Sequence, residues 1–118
     1  MYTWVVIAIT IARVKEVEEC NFDGIGTVRK SERAIVVELS ESEGTRLSEA
    51  IEDTEKTLLA NRELLVEVSR LTTIALQIGW TPRRGQDGVV FGADLLQLLA
   101  EIKAPLVVNT YTDDDDDD

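Results

Sequence analysis

The chain of 118 residues contains no histidine, one cysteine and two prolines, and only 5% of its residues are aromatic. Each shortage excludes a class of chemistry. Without histidine, neither a Ser-His-Asp nor a Cys-His arrangement can form, and zinc loses its commonest nitrogen ligand. Cys20 stands alone, so no intrachain disulfide framework exists and a reducing compartment is the default expectation. Its neighbours Glu18 and Glu19 disfavour a thiolate, so Cys20 reads as an ordinary strand-end residue rather than a nucleophile. No cofactor fingerprint is complete. Gly24-Ile25-Gly26 lacks the third glycine and opens no helix, and Gly85, Gly88 and Gly92 follow two arginines without a phosphate-loop lysine. We therefore expect a non-enzyme, with no cofactor and no metal.

Long apolar runs are also missing. The longest, Trp4 to Ala12, is interrupted by Thr10 and is less than half the roughly 20 residues that span a bilayer. No basic residue precedes it and no clear small-residue cleavage site follows it, so neither a signal peptide nor a membrane contact is expected. A cytoplasmic or virion location follows from that reading.

Basic residues are scarce relative to acids, 12 against 23. Of the net charge of −11, six units come from Asp113–Asp118, which leaves −5 for residues 1–112. An acidic chain does not bind nucleic acid directly, because that requires clustered lysine and arginine. The aspartate run lacks the fixed oxygen geometry of a calcium loop and reads as a solubilising or electrostatic tail appended to one domain over 1–112. The acid surplus and the preference for arginine over lysine also resemble halophilic proteins.

The apolar content that is present falls into strands and helices. Tyr2–Val14 is rich in β-branched residues and apolar on both alternating faces, which predicts a central strand covered on both sides. Turn chemistry at Asn21–Gly26 precedes a hairpin, Thr27–Arg29 and Arg33–Leu39 around Lys30-Ser31-Glu32. Ser40–Gly79 is the longest helical pattern. Ser40 and Glu43 have capping-box spacing, and Gly79-Trp80-Thr81-Pro82 reads as a stop. Unbroken, this helix would hold about 38 residues and span about 57 Å; a break at Ala60-Asn61-Arg62 would make it a helical hairpin. Gly92–Lys103 predicts a shorter helix, and Leu106–Thr112 a last strand placed beside the first. The fold class is thus α+β: a mainly antiparallel sheet, a β-meander plus the C-terminal strand, packed on one long helix or hairpin and a shorter helix.

Two features are candidates for partner binding. Leu47, Ile51, Leu58 and Leu65 form an apolar stripe with heptad spacing, interrupted by Thr54 and Asn61. Such a stripe either covers the chain's own sheet or meets a helix of another copy, where Asn61 would set the register. Arg83 and Arg84, on a glycine-flanked loop, have the fork geometry to grip carboxylates of a neighbouring subunit. The expectation is a non-enzymatic assembly or interaction protein, a small viral or phage structural or accessory component that forms a homo-oligomer or docks on a larger complex. The alternative is an acidic nucleic-acid mimic of the anti-restriction or anti-CRISPR type that blocks a basic groove.

Overall fold

The computed structural model describes residues 4–43, 46–81 and 89–110. The chain runs β1 (Trp4–Ala12), a 3₁₀ turn (Lys15–Val17), β2 (Thr27–Lys30), β3 (Ala34–Glu43), α1 (Leu47–Ala60), α2 (Arg62–Ser69), β4 (Ile74–Thr81), α3 (Ala93–Glu101) and β5 (Leu106–Thr110). The strands form one sheet in the order β2-β3-β1-β4-β5. Three neighbouring pairs are antiparallel and β4-β5 is parallel, so the fold is α+β with a mainly antiparallel sheet.

The first strand is central, as its apolar content predicts, with β3 and β4 on either side. Among the described residues, helices cover only one of its faces. Val5, Ile7, Ile9 and Ile11 are at most 2% exposed, whereas Val6, Ala8, Thr10 and Ala12 between them are half-buried. Two placements differ from expectation. The last strand pairs with β4 rather than with β1, because β4 takes that position. The first three strands are not a consecutive meander either, since β1 pairs with β3 and leaves β2 outside, while the β2-β3 hairpin itself is as expected.

The largest correction concerns Ser40–Gly79. Ser40 to Glu43 extend β3 and pair with Trp4 to Ile7, past a bulge at Leu39. The backbone of β1 needs a partner along its whole length, and strand pairing overrides the capping-box spacing. The helix therefore starts at Leu47. It is interrupted at Asn61 (φ −111°, ψ 25°), whose Nδ2 donates to the Thr57 carbonyl at 2.8 Å. One intervening residue is too short for a hairpin loop, so α2 is a broken continuation and not a returning arm.

Beyond Ser69 the chain turns, and Ile74, Leu76, Ile78 and Trp80 line one side of β4. Residues alternating by two scatter to both sides when wound at 100° per residue, so this strand resembles an all-round apolar helix on a helical projection. The β-branched run Thr72-Thr73-Ile74 favours the extended form. Gly79 and Trp80 are strand residues and not a helix stop.

All three helices cover the same side of the sheet. Leu47, Ile51, Leu58, Leu65, Leu95 and Leu98 join the odd-numbered side chains of β1, with Ile35, Val37, Leu76 and Ile78, in one core. Burying each such side chain contributes about 1.5–3 kcal/mol. Phe22 and Ile25 seal one end from the turn before β2, where Asp23 N–H donates to Asn21 Oδ1 at 2.9 Å. Gly26 follows because a Cβ there would lie 2.1 Å from the Glu38 carbonyl oxygen.

Candidate functional site

The partner-binding candidates separate in three dimensions. Leu47, Ile51 and Leu58 are 5%, 2% and 1% exposed and pack on the chain's own sheet, so the stripe is committed to the intramolecular core. Thr54, on the same stripe, is 2% exposed and part of that packing. Asn61 satisfies a carbonyl at the end of α1 and does not present a register-setting amide to solvent. Arg83 and Arg84 lie outside the described residues.

Two surfaces remain. The first is a shallow groove of about 580 Å³ where the α1-α2 junction meets α3, lined by Leu59, Arg62, Asp94, Gln97, Leu98 and Glu101. Arg62 crosses it to Glu101, with Nε to Oε1 at 2.9 Å and Nη2 on Oε2. This fork fastens α2 to α3. Asp94 and Glu101 both stand on exposed helix faces, and Glu101 is already engaged by the guanidinium, so the groove offers no buried pair of acids for proton transfer. Among the described residues, no group of three or more His, Cys, Asp or Glu is placed to hold a metal ion.

The second surface is the sheet face away from the helices. Strand alternation and register put Ala8, Thr10 and Ala12 of β1 beside Val36 and Ala34 of β3 and beside Gln77 and Ala75 of β4, with Val107 of β5 beyond. The Thr10 hydroxyl donates to Gln77 Oε1 at 3.2 Å across the β1-β4 pair. None of these side chains belongs to the core, and none on β1, β4 or β5 in this stretch is charged. Charge enters this face from β3, where Glu38 stands opposite Ala8 and meets Arg29 at 3.0 Å, and Glu41 stands opposite Val6. Small and β-branched residues make the β1, β4 and β5 part of this face a low-relief, uncharged surface suited to another sheet or an extended segment, and unable to enclose a small molecule.

Sequence reasoning missed this surface because it assigned both faces of β1 to the interior. The size difference between faces over the second half of the strand is the available signal: Ile7, Ile9 and Ile11 on one side, and Ala8, Thr10 and Ala12 on the other. Among the described residues, no helix is long and apolar enough to cross a membrane. No protein-family model, curated protein or solved structure matches this chain.

Proposed function

We propose that this chain is a non-enzymatic interaction protein that assembles with protein, first of all with further copies of itself, as a small structural or accessory component in a cytoplasmic or viral setting. The observation that carries the reading is the one-sided sheet. Its helix-free face joins three strands in an uncharged surface of small and β-branched side chains. A nine-residue central strand is about 30 Å long, and the three strands β1, β4 and β5 are about 15 Å across, so the uncharged part of the face has at most roughly 450 Å². That is about half of the about 800 Å² per partner of a standard interface, enough for the centre of one.

The acidic-mimic reading has less support. Glu49, Glu52, Glu63 and Glu67 on the helical layer are interspersed with Lys56, Arg62 and Arg70, which breaks the continuous negative field that such inhibitors need.

Light scattering coupled to size exclusion on the full chain tests the proposal, beside Thr10→Arg and Ala75→Arg, which place a charge at the middle of the face. The expected result is an oligomer whose mass falls in both variants while their melting temperatures stay near that of the parent. Unchanged masses would remove the face from the assembly. A parent that stays monomeric at millimolar concentration would overturn self-assembly altogether.

A further inference from the structure

The two edges of the sheet differ in how they are guarded. β2 is four residues long and ends in Arg29 and Lys30, both exposed, with Arg29 held to Glu38. Short length and charge are the usual protection of an edge strand. β5, Leu106-Val107-Val108-Asn109-Thr110, has no charge, and its two central valines are 37% and 41% exposed.

Backbone phase decides what this edge can do. The Leu76 N–H donates to the Pro105 carbonyl at 3.0 Å, and Leu76 is opposite Leu106 in the parallel ladder. Alternation then turns the amide and carbonyl groups of Val107 and Asn109 toward β4 and those of Leu106, Val108 and Thr110 away from it. Among the described residues, no strand pairs with that outer side.

We propose that β5 pairs antiparallel with β5 of a second copy about a two-fold axis at Val108, producing a continuous ten-stranded sheet. The outward groups are self-complementary in this register: Val108 faces its own symmetry mate, Leu106 faces Thr110, and each opposed pair exchanges both backbone hydrogen bonds. Val107 comes opposite Asn109 on the helix-free face, so pairing covers both exposed valines. The acidic run supports the direction. Six aspartates follow Thr112 in sequence, and antiparallel strands send the two runs to opposite ends, where parallel strands would bring them together. This inference specifies the self-assembly proposed above but places it at the edge, separate from the face.

The test uses full-length Val108→Lys and Val108→Glu, each alone and mixed in equal amounts, with native mass as the readout. Residue 108 meets itself across the axis, so each variant repels its own copy and is expected to lose one dimerisation step. The mixture is expected to restore it as a one-to-one heterodimer that weakens at least tenfold in 1 M salt. Thr10→Arg is expected to leave this step intact. Retention of the parent mass by both Val108 variants would overturn edge pairing while leaving assembly by the face standing. Loss of mass without recovery on mixing would overturn the two-fold at Val108. A monomeric parent would remove the edge and the face together.

Discussion

Arg13 and Glu18 meet in a two-pronged ion pair, Nε to Oε2 at 2.6 Å and Nη2 to Oε1 at 3.1 Å, which links the end of β1 to the 3₁₀ turn that follows. Arg13 Nη1 also donates to the Ser31 carbonyl at 2.5 Å, and Lys30 approaches Glu18 Oε1 at 3.5 Å. The pair therefore also fastens the tip of the β2-β3 hairpin. The Arg13 hydrogen bonds, aided by the charges of Arg13 and Lys30 and opposed by partial desolvation, hold the Glu18 carboxyl below its ordinary value.

A pH dependence follows from that direction. A carboxyl with a depressed folded pKa stabilises the protein above its unfolded value, about 4.3, and this contribution is lost as pH falls through the lower folded value. Glu18→Gln is expected to melt below the parent at pH 7, with the gap narrower at pH 3. Thermal unfolding at both pH values checks it, and 1 M salt should narrow the gap at pH 7 because the groups are solvent-accessible.

Gly26 is required by close approach. Any side chain there meets the backbone of β3, which cannot swing aside without disturbing its ladder to β1. Gly26→Ala is expected to lower stability by about 2 kcal/mol or more, measured as a shift of the urea midpoint at constant slope. Gly24→Ala is the comparison, since its Cβ would come no closer than 3.5 Å to Asn61 Oδ1.

Lys103 presents the opposite case. Its φ of 55° closes α3 in a Schellman arrangement, with Ala104 N–H donating to Leu99 O at 2.8 Å and Lys103 N–H to Ala100 O at 3.1 Å. A lysine in the left-handed region is strained, so Lys103→Gly is expected to gain about 0.5–1 kcal/mol after the extra chain entropy of glycine is subtracted. Denaturant unfolding reads the gain, and a loss of stability would show that the lysine has a contact stronger than the strain.

Leu58 and Asn61 separate packing from partner contact on α1. Leu58→Ala is expected to cost about 2–5 kcal/mol as a buried truncation. Asn61→Ala is expected to cost about 1 kcal/mol through the lost bond to Thr57. At a temperature where both variants remain folded, neither should change the native mass, in contrast to substitutions on the sheet face or on β5.

Much of this architecture is legible in the sequence. The β-branched run of Trp4–Ala12, the turn residues of Asn21–Gly26 and the leucines of Ala93–Glu101 carry their own periods, and each forms the expected element. Helix and strand were confused where a period-two stretch followed a helix directly, over Ile74–Trp80. The heptad-like spacing of Leu47, Ile51 and Leu58 identified a buried stripe correctly but left open what buries it, because a helix facing its own sheet and one facing another copy need the same residues.

The sequence alone determined the α+β class, the central place of the first strand, and the absence of histidine-based chemistry, since composition and local period are properties of the chain itself. Tertiary structure decided the rest: that Ser40–Glu43 extend a strand, that β4 separates the first and last strands, that one sheet face carries no helix, and that β5 is an uncharged edge. Those outcomes arise from competition among distant segments for the same backbone partners and the same apolar surface, and short-range pattern carries no record of which segment wins.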